Sequence, residues 1–195
     1  MRAVATVVLM LGLAQGAPAA NIVTNPGFET GSFAGWVQFG NTDFTGVDTN
    51  SEHSGNFGAF FGATGSAGGI EQTLTVAPNS TYNIDFRLAN DDGTPNSFEV
   101  RFDNQSVTGV VVNVPGLAYS LFHFTASTDA DSTAVLSFAF RHDVAFFRLD
   151  DVCVDNARNG ACAAAAQVPE PSGLALLAVG LAGLAFGRRK RARQV

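Results

Sequence analysis

The side chains in this sequence that could do chemistry are mostly carboxylates. Seventeen Asp and Glu stand against 11 Lys and Arg and three His. Two carboxylates can serve as acid and base in glycoside hydrolysis, but so many acidic residues create pairs without any catalytic reason. Asp150 and Asp151 are neighbours on a predicted strand, so their side chains should point to opposite faces and not act together. His53, His123 and His142 are scattered, and no H-E-x-x-H pair offers a zinc site. Arg141-His-Asp143 reads as a polar loop after Phe140. No serine stands in a G-x-S-x-G elbow, and no glycine loop carries the lysine a phosphate cradle needs. Asn90 to Glu99 has carboxylates and a glycine but not the spacing of a helix-flanked calcium loop, and it reads as a turn. These patterns point away from an enzyme.

Sugar binding needs aromatic faces to stack on pyranose rings. Trp36, Phe39, Phe44 and Tyr119 lie near predicted loops, with Trp36, Phe39 and Tyr119 the ligand-binding candidates. One Trp and two Tyr make a small platform, and the 17 Phe belong mostly to an interior. Cys153 and Cys162 are the only cysteines. Outside the cytoplasm two cysteines point to one disulfide, closing a short loop over the end of the last strand. Free thiols are the alternative, while the lack of a nearby histidine argues against zinc.

The elements that must position these residues repeat with a period of two. Ile70, Leu74 and Val76 alternate with polar neighbours, as do Tyr82, Ile84, Phe86 and Leu88. The pattern returns at Phe98, Val100 and Phe102, at Val110, Val112 and Val114, and at Leu136, Phe138 and Phe140. Phe147 and Leu149 lead into Val152 and Val154. Alternation of this kind predicts half-buried strands sharing a core. Turn signals separate them at 77–80, 90–95, 114–116 and 127–131. No segment from Asn21 to Arg158 carries a helical period, so the expected fold is an all-β antiparallel sandwich.

The two ends are of another kind. Arg2, the apolar run Ala3–Ala14 and the small residues up to Ala20 form a secretory signal peptide, assigned to residues 1–19. Residues 20–158 are the sandwich domain and 159–167 a linker. In 168–195, the four residues Val168, Pro169, Glu170 and Pro171 precede an uncharged run, Ser172–Gly187, and a basic cluster, Arg188–Arg193. Pro169 and Pro171 lack an amide donor and separate the tail from the fold, and Glu170 between them is the only acidic residue of the tail. The uncharged run is expected to be a single transmembrane helix near the lower length limit, with the basic end cytoplasmic. Without these ends, five basic and sixteen acidic residues remain in 20–167, for a net charge near −11 and no lysine. Such a surface repels nucleic acid. About 148 residues suffice for one domain with its own core.

Two resemblances follow. The order Pro-Glu-Pro, apolar run, basic end resembles the PEP-CTERM sorting signal of Gram-negative bacteria. That implies Val168, Pro169, Glu170 and Pro171 as the sorting motif and a sorting protease of the exosortase type as partner. The second lies in the body, in Asn21-Ile-Val-Thr-Asn-Pro-Gly-Phe-Glu29 closing at Gly35-Trp36 and in Ser51-Glu-His-Ser-Gly55 before the Phe57–Phe61 strand. It continues through Gly69–Val76, Thr81–Phe86 and Leu149-Asp-Asp-Val152. These segments resemble galactose-binding-type jelly rolls and carbohydrate-binding modules of the xylan- and glucan-binding kind. The resemblance implies an opening strand at Asn21–Glu29, a jelly-roll strand order and a structural calcium. Its ligands would be Glu29 and Asp151, with Glu52 and backbone oxygens around Gly27 and Ser54. The expectation is a non-catalytic protein of the cell surface or extracellular matrix, exported through the inner membrane. It would be a single-pass membrane protein before processing and lie in the periplasm, at the surface or outside the cell afterwards. The alternative is a carbohydrate-binding module for an exopolysaccharide or cell-wall glycan.

Overall fold

The computed structural model describes residues 20–158 together with Gly160 and Cys162. The expected signal peptide, apolar run and basic end lie outside the described residues, as does the linker apart from Gly160 and Cys162. So does the sorting motif, Val168, Pro169, Glu170 and Pro171. Among the described residues eleven strands appear: β1 (Val37–Gly40), β2 (Thr45–Asp48), β3 (Gly58–Phe61), β4 (Gly68–Thr75), β5 (Thr81–Asn90), β6 (Asn96–Phe102), β7 (Gln105–Ser106), β8 (Val111–Val112), β9 (Leu117–Ser127), β10 (Thr133–His142) and β11 (Phe147–Asn156). They form two antiparallel sheets. One runs β1-β4-β10-β6-β7, with β8 also on β6, and the other β2-β3-β11-β5-β9.

The alternation puts one face of each sheet inside. Ile84, Phe86 and Leu88 of β5 meet Leu136, Phe138 and Phe140 of β10, and none is more than 1% exposed. Phenylalanine fills the space between the sheets: Phe61 stacks on Phe140 at 4.4 Å, and Phe86 meets Phe138 edge-on at 5.2 Å. Cys153 and Cys162 are joined as a disulfide. Closing a loop this short contributes roughly 3 kcal/mol by restricting the unfolded chain. The unit ending at Cys162 thus holds the whole of this core and its cross-link.

Four expectations need correction. The stretch Asn21–Glu29 forms no strand. Pro26 lacks a donor, Asn25 and Phe28 take positive φ (51° and 57°), and the chain coils, with only isolated backbone bonds to β11, from the Ile22 amide to the Val154 carbonyl and from the Val152 amide to the Pro26 carbonyl. It is tied down by Asn21, whose side-chain oxygen accepts from the Val154 amide at 3.0 Å, and it plugs the core with Val23, Phe28 and Trp36. The Val110–Val114 alternation shrinks to β8, because positive φ at Gly109 and Asn113 and the following Pro115 leave only two residues to pair with Ser97 and Phe98. Val110 and Val112 are exposed. His142 is the buried last residue of β10 rather than part of a polar loop, with Nε2 3.0 Å from the Asp91 carbonyl and Nδ1 accepting the Ala145 amide.

The fourth concerns Asp150 and Asp151. Asp150 pairs with Arg87 and Cys153 with Asp85, so three steps on β11 match two on β5. That extra residue is a β-bulge, with Asp151 at φ 50°. Leu149 and Val152 stay in the core on either side, and the two carboxylates both turn to His53 and Ser54.

Candidate functional site

With the core side of the five-stranded sheet assigned, its other face follows from the pleat. Arg87, Asp85 and Asn83 stand on it from β5, Tyr119, Leu121 and His123 from β9, and Arg148 and Asp150 from β11. The segment Ser51–Phe57 folds back over one part of this face. Its approach is so close that a Cβ on Gly58 would overlap the Ser51 carbonyl.

Carboxylates hold that segment down. Asp150, with no exposed surface, accepts the amides of His53 at 2.7 Å and Ser54 at 3.0 Å through one oxygen and that of Asp151 at 2.7 Å through the other. Asp151 takes the Ser54 hydroxyl at 2.6 Å and lies 2.6 Å from His53 Nδ1. Glu29 accepts the amides of Asn56 and Phe57 at 2.9 and 3.1 Å, and those bonds hold its carboxyl below the usual range. Asp150 goes the other way: burial pushes its carboxyl up to about 6, against the pull of its three amide donors. The Tyr119 phenol donates to the Ser51 carbonyl, and its ring meets His53 edge-on at 5.2 Å. Burial first, and then the nearby Asp150 charge, raise that phenol above its ordinary range.

Beyond the segment the face is open. Arg148 is clamped on Asp91 by two bonds of 2.6 and 2.9 Å, and His123 Nδ1 lies 2.5 Å from Asp85. Arg87 differs from both. It is half-buried, pairs across β5 and β9 with Leu121, and makes no ion pair or side-chain hydrogen bond among the described residues. Leu121 is 52% exposed beside it. A guanidinium whose donors meet no side-chain or ion-pair partner among the described residues, next to an exposed leucine, suits an oxygen-rich ligand with a partly apolar ring. No serine, threonine or cysteine is bonded to His123, so among the described residues the Asp85–His123 pair activates no nucleophile.

The sequence-predicted residues are dispersed. Trp36 is in the core, 6% exposed, packed on Phe28 and Phe138, with its indole N–H donating to Asn25 at 3.3 Å. Its aromatic face is therefore not available to a ligand. Phe39 sits on β1 at the edge of the other sheet. Tyr119 alone reaches the face described here, as a wall bound to Ser51. Glu29 and Asp151 do meet the 51–57 segment, while Glu52 is exposed upon it. The oxygens of Glu29 and Asp151 already face N–H and O–H donors, and no group of three or more His, Cys, Asp or Glu among the described residues is close enough to hold a metal. Sequence reasoning missed Arg87 and His123, although their places opposite the core residues Phe86 and Phe122 were a usable signal.

A second concavity of about 200 Å³ lies among the turns, lined by residues including Phe44, Thr64, Asp143 and Phe146. The Asp143 carboxylate there is occupied by Arg141, which pulls its pKa down to about 2.

The described chain is thus a two-sheet β-sandwich of the jelly-roll kind found in carbohydrate-binding modules. Similar solved structures include a galactotriose complex of TmCBM61 (TM-score 0.54, 17% identity, 70% of this chain and 99% of that one). The CBM22-1 xylan-binding domain of Paenibacillus barcinonensis Xyn10C is another (TM-score 0.55, 17% identity, 72% and 97%). The C-terminal family 22 module of Clostridium thermocellum Xyn10B is a third (TM-score 0.53, 17% identity, 73% and 98%). At this identity the likeness is one of fold. Residues 167–191 match the PEP-CTERM protein-sorting motif, which marks the chain for export with a membrane-anchor type of C-terminal sorting signal. The matched span contains Val168, Pro169, Glu170 and Pro171, the four residues expected to form the motif. No curated protein sequence matches the chain.

Proposed function

We propose that this is a non-catalytic exported protein whose sandwich binds a polysaccharide across the open face of the five-stranded sheet. The observation that carries the reading is Arg87, a half-buried guanidinium with no partner among the described residues, set between exposed Leu121 and the Asp85–His123 pair. Holding a cation partly out of water without a hydrogen-bonded anion costs free energy, and a ligand that supplies several oxygens recovers it. The fold's presence in modules solved with galactotriose or described as xylan-binding supports the reading. An exosortase-type protease is the proposed sorting partner, acting at the motif of Val168, Pro169, Glu170 and Pro171. Affinity electrophoresis in gels containing galactan or xylan tests the face. Retardation of the parent that Arg87→Ala abolishes, with an unchanged melting temperature, is the expected result. No retardation in these gels or in gels cast with the producing cell's own exopolysaccharide refutes binding.

A further inference from the structure

Two open sheets have four edges, and here three of them are short. β1 and β2 have four residues each, and β7 and β8 two each. The fourth edge is β9, an 11-residue strand paired with β5 on one side and with no strand on the other among the described residues. Sheet proteins normally guard such an edge with charge, proline, a bulge or brevity, because its free amides and carbonyls accept any passing strand. β9 has none of these guards along most of its length. It contains no Asp, Glu, Lys, Arg or Pro, and its only irregularity against β5 falls at Leu88/Asn90, near its start. From Ser120 to Ser127 the pairing is unbroken. Phe122 and Phe124, on the core side, are only partly covered, and Leu121 stands out on the other side.

We infer that β9 is a self-association edge. It pairs antiparallel with β9 of a second copy, about a two-fold axis at Phe122, joining two five-stranded sheets into one of ten. The strand's own sequence selects this partner. A pivot at Phe122 sets Phe122 against Phe122, Ser120 against Phe124 and Leu121 against His123, so every residue meets one on the same face of the pleat. No like charges oppose each other. Elsewhere the exported body carries a net charge near −11, so contact through most other surfaces would bring carboxylate against carboxylate. The uncharged edge is where two copies can approach. If the function proposed above also holds, the dimer sets two Arg87 faces on one continuous sheet and makes binding of a long polymer bivalent. The dimer itself does not depend on that function.

Sedimentation equilibrium on Ala20–Cys162, the unit that contains the whole core and the disulfide, tests the inference. The parent is expected to show a concentration-dependent monomer–dimer equilibrium. Leu121→Lys/His123→Lys places two like-charge pairs across the two-fold while leaving core residues untouched, and should raise the dimer Kd about ten-fold or more. Mixing that chain with Leu121→Glu should restore association as a heterodimer. Melting temperatures show that each variant is folded, and the parent's own concentration dependence needs no variant. A monomer at every concentration up to about 1 mM, or a dimer whose Kd the double variant leaves unchanged, overturns the inference.

Discussion

Replacing Asp150 with asparagine separates two opposed forces on one buried carboxyl. Three backbone amides favour the charged form, and complete burial disfavours it. The net result is a carboxyl pushed up to about 6, against about 3.9 in an unfolded chain. A folded-state pKa above the unfolded value means that ionisation opposes folding. The contribution is fully favourable below about pH 4 and is lost as pH rises through about 6. A separation of about two units corresponds to about 3 kcal/mol. Asp143, held at about 2 by Arg141, and Glu29, lowered by its amide donors, act with the opposite sign. Both stabilise above their unfolded values and lose that as pH falls. The parent's stability curve therefore mixes these terms, and the difference between parent and Asp150→Asn isolates one of them. Denaturant unfolding at about pH 4, 5 and 7.5 measures it. Relative to the variant, the parent should lose about 2.5 kcal/mol between the lowest and highest pH, because the unfolded carboxyl is already about half ionised at pH 4, whatever the constant offset from the amide substitution. A flat difference would show that the three amides balance burial, and a parent that gains with pH that they outweigh it; either result refutes a raised Asp150 carboxyl.

Two further outcomes follow from the packing and the donor geometry. Trp36→Ala should lower stability by about 3–5 kcal/mol through a cavity beside Phe28 and Phe138, while polysaccharide retardation per folded molecule stays unchanged; a selective loss of binding would return Trp36 to the ligand site. Thermal unfolding in calcium and in a chelator should coincide, because Glu29 and Asp151 of the expected ligand set already face hydrogen-bond donors. A rise of several degrees with calcium, abolished by Glu29→Gln, would establish the metal instead.

Much of the fold was legible because a period of two is a local property of the chain. Ile84, Phe86 and Leu88, or Leu136, Phe138 and Phe140, declare a buried face without any knowledge of the partner strand. The export signal at 167–191 was legible for a similar reason, since composition and order are enough to recognise it. The Cys153–Cys162 bond needed only the compartment and a short separation.

The site was less legible. Alternation correctly sends Asp150 to the face opposite Leu149, but it sends Asp151 to the wrong side. The inserted residue of a bulge is defined by the partner strand's register, which no local pattern carries. Trp36 and Tyr119 look equivalent in sequence, as aromatics near turns. Only the meeting of distant segments buries one against Phe138 and ties the other to Ser51. Arg87 shows the same division. Its alternation with Phe86 and Leu88 puts it outside the core. That it makes no ion pair among the described residues, beside Leu121, while Arg148 has Asp91 and Arg141 has Asp143, depends on which strands lie next to one another. The sequence by itself determined export, sheet class and core, because those rest on composition and local periodicity. Tertiary structure alone decided which charges are paired and which edge has no neighbouring strand among the described residues, because both depend on contacts between residues far apart in the chain.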